Sequence, residues 1–195
     1  MTNDEVGPGG EVEVVSVVRQ PLNRMAAWAV DWGCIMVWVA ITAAVGVPLY
    51  LAGVTRAFDT VTVNLVAAVV VVFPVTFWLA RRESGGREAT PGKRLRGLVV
   101  VTAADGSRST LGRALLRNTL KVAAPWLIGH AAVYAIVETS DSNAVSIAVW
   151  LITAASYVLP IVYLASLFIG KGRTPYDRLS GTAVIGRRQP RPRSE

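Results

Sequence analysis

The sequence predicts an all-α membrane protein with four transmembrane helices and both termini in the cytoplasm, and two observations predict it. The first is the arrangement of the apolar residues. They make up 52% of the 195-residue chain, a share that soluble domains also reach, so the amount decides nothing. Four runs nearly free of charge, at about 25–50, 61–80, 122–137 and 144–170, alternate with charged segments. About 20 apolar residues let a helix cross the ~30 Å of bilayer hydrocarbon. The second observation is charge asymmetry. Every Lys and Arg except Arg56 lies in the N-terminal segment, the loop 81–121 or the tail after residue 170. Four crossings put those three segments on one side, and the positive-inside rule makes that side cytoplasmic.

The first run carries one charge, Asp31, in RMAAWAVDWGCIMVWVA. The acidic residues Asp4, Glu5, Glu11 and Glu13 before it are unlike a signal-peptide n-region, so we read the run as a permanent span. Residues 1–20 form a partly disordered tail in this reading, and residues 187–195 a disordered basic one. The second run includes Val69–Val72, which would suggest a strand in water. In lipid the backbone must satisfy its own hydrogen bonds, so the run is helical. The third run is short unless the helix before it or the polar residues after it extend the crossing. The fourth contains Pro160. Several tryptophans, among them Trp78, Trp126 and Trp150, lie near span ends as an interfacial belt requires.

The cytoplasmic segments have structure of their own. Leu98–Thr102 is β-branched and is followed by the turn signal Ala104-Asp105-Gly106. Thr182–Ile185 and Val12–Val18 are two further strand candidates for a small cytoplasmic sheet. Ser109 or Thr110 is placed to cap a helix through Lys121. Arg113, Arg117 and Lys121 are four apart and share a face, opposite Leu111, Leu115 and Val122. We read this as a basic amphipathic helix at the membrane interface, attracting anionic lipid. The alternative is that it packs on the cytoplasmic sheet.

Other chemistries are poorly served. Thr90-Pro91-Gly92-Lys93-Arg94 fails as a phosphate loop, because Arg87 stands where glycine is needed and Arg94 where Ser or Thr is needed. There is one histidine and one cysteine, Cys34, and no metal-ligand spacing, so we expect no enzyme activity and no cofactor or metal. The net charge of +7 needs no nucleic-acid partner, because topology already explains where the basic residues lie.

Three segments together resemble the RDD family of bacterial membrane proteins: Arg24 with Asp31 in NRMAAWAVDW, the loop TPGKRLRGLVVVTAADGSRSTLGRALLRN, and the tail PYDRLSGTAVI with Asp177. Tyr176 stands where the family's tail motif often has a histidine. The resemblance implies a multi-pass protein of a bacterial plasma membrane, with Arg24, Asp31 and Asp177 as its signature. It implies a sodium–proton antiporter or transport component, or an accessory part of a larger membrane complex or homo-oligomer.

Residue chemistry leaves two readings of the acids. Seven residues put Arg24 and Asp31 on one helical face, about 10 Å apart. A charged aspartate near the bilayer centre costs roughly 2.5–3.5 kcal/mol, so Asp31 needs a partner. It is either a structural anchor, bonded to Arg24, a loop arginine or a helix end, or a site that exchanges a proton for a cation. Asp177 can cap a helix, pair with Arg24 or close a gate. His130, in the third span, is a relay candidate and otherwise a neutral residue bonded across helices.

Overall fold

The computed structural model describes residues 20–139 and 145–187. The strand candidate Val12–Val18 and the tail beyond Arg187 lie outside them. Among the described residues four helices are long and apolar enough to cross a membrane. Helix α1 spans Pro21–Leu51. Helix α2 runs Thr60–Ala67, continues through a π-helical turn at Ala68–Val72, and ends as Phe73–Ser84. Helix α3 is short, Pro91–Leu95, and leads into strand β1, Leu98–Thr102. Helix α4 runs Leu111–Asn118, through a second π turn at Thr119–Ala123, and on as Ala124–Thr139. Helix α5 spans Ile147–Ser166, the short α6 spans Pro175–Leu179, and β2 is Thr182–Gly186.

The starts of these helices follow from local chemistry. Asp59 caps α2 by accepting from the Thr62 amide at 2.9 Å and the Thr62 hydroxyl at 2.7 Å. Thr90, Thr110 and Thr174 cap α3, α4 and α6, each through its hydroxyl. Pro91 and Pro175 occupy the first turns of α3 and α6, where a missing N–H costs nothing.

The third span differs from its sequence boundaries. The basic helix and the apolar run form one helix, so the candidate span is Leu111–Val137 rather than a run starting at Val122. No breaker separates them, and the polar residues Arg117 and Asn118 find buried partners instead of solvent. The basic helix therefore does not bend away to lie along the interface.

Each π turn shifts the helical ladder by a residue, and a neighbouring helix supplies a donor there. Trp38 Nε1 of α1 donates to the Val70 carbonyl at 3.2 Å, and Tyr163 of α5 donates its hydroxyl to the Leu120 carbonyl at 2.8 Å. In lipid no water can take that place.

Strands β1 and β2 pair antiparallel, with Val100 opposite Val184 and Leu98 opposite Gly186. One face of this sheet packs Leu98, Val100 and Val184 on Ala27 of α1. The other packs Val99, Val101 and Ala183 with Ala89. The tight packing is concentrated at this charged, cytoplasmic end. Farther along the spans it is loose: α1 buries Ala27, Asp31 and Ile35, and α5 buries Val149.

The structure also exposes an internal repeat. TPGKRLRGLVVVT at 90–102 and TPYDRLSGTAVIG at 174–186 share Thr, Pro, Arg, Leu, Gly and Val in register. Each copy is a threonine cap, a one-turn helix, a glycine at φ +64° (Gly97, Gly181) and a strand. Val100 and Val184 are equivalent in the two copies and face each other at the sheet's centre, so the sheet has approximate two-fold symmetry. Each copy follows a pair of spans.

Candidate functional site

The Thr90–Lys93 turn is built to hold a carboxylate. Thr90 Oγ1 donates to Asp31 Oδ2 at 2.6 Å, and the Gly92 amide donates to Asp31 Oδ1 at 2.9 Å. Asp31 is 2% exposed, so both donors replace water. Gly92 is required by contact distance: a Cβ there would lie 2.0 Å from the Ala27 carbonyl oxygen. The turn is thus pressed against the backbone of α1, which is what lets its amide reach Asp31. Asp31 has the helix-end partner that was one of three open in sequence, and Arg24 goes elsewhere.

Arg24 reaches across 153 positions to Asp177, with Nη2 2.6 Å from Oδ2, and it also donates to the Gly172 carbonyl. Asp177 sits in a capping box with Thr174: its Oδ2 accepts from the Thr174 amide at 3.1 Å, and its own amide donates to Thr174 Oγ1 at 3.3 Å. Its other oxygen, Oδ1, accepts from Arg117 Nε at 3.0 Å and lies 2.9 Å from Arg117 Nη2. Arg117 Nη1 lies 2.8 Å from Glu83 Oε2. Glu83 also accepts from Lys93 Nζ at its other oxygen and from Asn118 Nδ2 at 2.8 Å. The charges therefore form a chain, Arg24–Asp177–Arg117–Glu83–Lys93, joining α1, α2, α4 and both repeated turns. The Arg117 guanidinium also stands 5.6 Å from the centre of the Tyr176 ring, which meets Tyr163 of α5 edge-on. The tyrosine at the position of the family's histidine thus serves packing and cation–π contact.

Arg117 is 1% exposed, which corrects its reading as a lipid-facing residue. The helical face was right and its direction was not, because α4 turns that face toward α2 and α6 rather than toward lipid. Arg113 is exposed and donates to Thr102 Oγ1 at 3.1 Å. Lys121 is half-buried and faces a cleft between the spans. His130 stacks on Trp126, ring centroids 3.5 Å apart, and is not among the residues lining that cleft. The structure therefore brings Arg24, Asp177, Arg117 and the Asp31 turn together and leaves His130 aside. Glu83, Lys93, Thr90 and Thr174 are members that sequence reasoning missed. The repeated TPxxRLxG pattern is the signal that could have found the two threonine turns.

Electrostatics keeps the chain charged at neutral pH. Burial opposes ionisation of Asp177, but the guanidinium groups of Arg117 and Arg24 outweigh it and hold its carboxyl at about 2. Burial pulls the Lys93 ammonium down to about 8 against the attraction of Glu83, so it stays a cation at pH 7. A carboxyl held below its unfolded value contributes stability above that value, near 3.8, and the contribution is lost as pH falls toward 2. Thermal unfolding in detergent is expected to move to lower temperature as pH drops from about 4 to about 2. Asp177→Asn is expected to be less stable at pH 7 and to lose less on acidification. Equal acid sensitivity in the two proteins would contradict the assignment.

The cleft measures about 980 Å³. Arg24, Asp31, Lys93, Arg117 and Lys121 lie at its cytoplasmic end. Its walls beyond them are apolar, with Ile35 and Val39 of α1, Val72 and Val75 of α2, and Leu164 of α5. Among the described residues no group of three or more His, Cys, Asp or Glu is placed to hold a metal ion.

No curated protein and no solved structure matches the chain. The family model described as RDD family matches residues 18–181, a stretch that contains the four spans, both threonine turns and all three signature residues. A multi-pass membrane protein whose Arg24, Asp31 and Asp177 are all bound at one end of its bundle, the chain belongs to the RDD family.

Proposed function

We propose that this protein is a non-catalytic component of a bacterial plasma membrane, a scaffold or accessory subunit for a partner membrane protein, and that Arg24, Asp31 and Asp177 fix the shape of its cytoplasmic end. One observation carries the reading: the oxygens of both signature aspartates already accept hydrogen bonds within the chain. Two features support it further. The cleft walls beyond Asp31 are apolar, which offers a cation no polar path toward the far side. The spans leave large apolar faces uncovered, among them Val37, Ile41 and Val45 of α1 and Leu151, Val158 and Ile161 of α5, suited to helix packing with a partner in lipid.

A second reading, cation–proton exchange at Asp31, is favoured by two observations. Asp31 lines the cleft, and neither of its two hydrogen-bond donors is a cation. Two experiments separate the readings. Purification in mild detergent is expected to recover a stoichiometric membrane partner. Proteoliposomes of the purified protein are expected to show no sodium-driven proton flux. A protein that emerges alone and exchanges sodium for protons, with the exchange abolished in Asp31→Asn, would overturn the scaffold reading. Under the scaffold reading Asp31→Asn has a stability effect instead. An amide facing both Thr90 and Gly92 must leave a donor unmatched or lose an acceptor, and about 1–3 kcal/mol is expected.

A further inference from the structure

Among the described residues, the charged end of the cleft has one more cation than it has carboxylates. Four cations, Arg24, Lys93, Arg117 and Lys121, stand with three carboxylates, Asp31, Glu83 and Asp177. Arg24, Lys93 and Arg117 have ion-pair partners. Lys121 has none within 4 Å among the described residues, and it stands half-buried at the cleft one turn beyond the buried Arg117. A cation so placed is unfavourable unless an anion or water reaches it. The space it faces continues away from the charges as an apolar slot between α1, α2, α4 and α5. Its walls include Ile35, Val39, Val72, Trp126 and Leu164. From Arg24 to Val39 the slot follows α1 for about 22 Å, the depth of one leaflet with its headgroups.

We propose that this cleft is a binding site for one anionic phospholipid of the cytoplasmic leaflet, its phosphate on Lys121 beside Arg24 and its acyl chains along the apolar slot. The two halves of the cleft match the two halves of such a molecule. A single negative charge balances the single excess positive charge, and the chains fill space that the spans leave between them. A free phosphate would satisfy Lys121 but leave the slot empty. A zwitterionic phospholipid would fill the slot and offer the same phosphate, but it brings a cation of its own and leaves the excess charge of the site in place. The site is distinct from the expected lipid contact of an exposed basic helix, since Arg113 plays no part in it. It does not rest on the scaffold reading.

Native mass spectrometry of the detergent-purified full chain tests the proposal. The probes are phosphatidylglycerol, phosphatidylcholine and inorganic phosphate, added after delipidation. One phosphatidylglycerol per chain is expected to be retained and to raise the unfolding temperature, while inorganic phosphate leaves that temperature unchanged. Lys121→Gln is expected to weaken phosphatidylglycerol retention about five- to tenfold, and Ile35→Trp to exclude it by filling the slot. Arg113→Gln, outside the cleft, is expected to behave as wild type. Three results would overturn the site: equal retention of phosphatidylcholine, unchanged preference in Lys121→Gln with a loss in Arg113→Gln, or a stoichiometric protein captured by a photo-crosslinker at position 35 in membranes.

Discussion

Replacing Arg117 with alanine is expected to cost about 3–5 kcal/mol, enough to remove most of the folded protein from the membrane. The side chain has no solvent to retreat to, and it answers two carboxylates at once, Glu83 at 2.8 Å and Asp177 at 2.9 Å. Without it Glu83 retains Lys93 and Asn118, and Asp177 retains Arg24. Each carboxylate then keeps one cation but has an oxygen stripped of its guanidinium partner, and the link between the two halves of the chain is gone, in a buried place. Breaking a buried pair is far more damaging than never having built it, because the surviving charge keeps its desolvation cost. Lysine is not expected to rescue the loss. A single ammonium cannot present the guanidinium fork that spans two carboxylates from different helices. The control is Arg113→Ala on the same helix, one turn earlier and exposed, expected to change stability by less than about 0.5 kcal/mol. Fluorescence-detected size exclusion and thermal unfolding measure all three. An Arg117→Ala protein as stable as Arg113→Ala would mean that the charge chain does not hold the bundle.

The second large effect comes from one carbon atom. Gly92→Ala places a Cβ 2.0 Å from the Ala27 oxygen and 2.8 Å from its carbonyl carbon. Both are backbone of α1, so neither can rotate away. The turn must retreat, and retreat removes the Gly92 amide from Asp31 and loosens the Thr90 bond beside it. Overpacking of about 1–3 kcal/mol is joined by a buried carboxylate short of a donor, about 1–3 kcal/mol more. We expect a loss of about 3 kcal/mol or more. Gly86→Ala, in the same loop with nothing within 4 Å of the new atom, is expected to be nearly neutral. If the two variants unfold alike, the close approach of the turn to α1 is not a constraint.

These two sites show what kind of information each level holds. Four spans and the strands at 98 and 182 were legible because they depend on residues near one another in sequence: run length and β-branching. Thr110 was legible as a cap for the same reason. The three signature residues were visible as anomalies, a carboxylate in an apolar run above all. Their pairing was left open: Arg24 had Asp31, seven residues away, and Asp177 as possible partners, and it is bound to Asp177, 153 positions on, which also caps α6. Arg117 and Lys121 were placed correctly on one helical face, yet periodicity gives a face and not the direction in which it points. Glu83 stands beside Arg81 and Arg82 at the end of α2 with no motif or spacing to single it out, and it is wholly buried.

The sequence by itself determined that this chain crosses a bilayer four times and which end of it carries the charge, since hydrophobic length and the positive-inside rule act locally. Only the tertiary structure decided which charges neutralise which, and that Lys121 has no ion-pair partner within 4 Å among the described residues. Coulomb attraction and desolvation depend on distances in space. The turn at Thr90–Lys93 fixes those distances by pressing a glycine against α1.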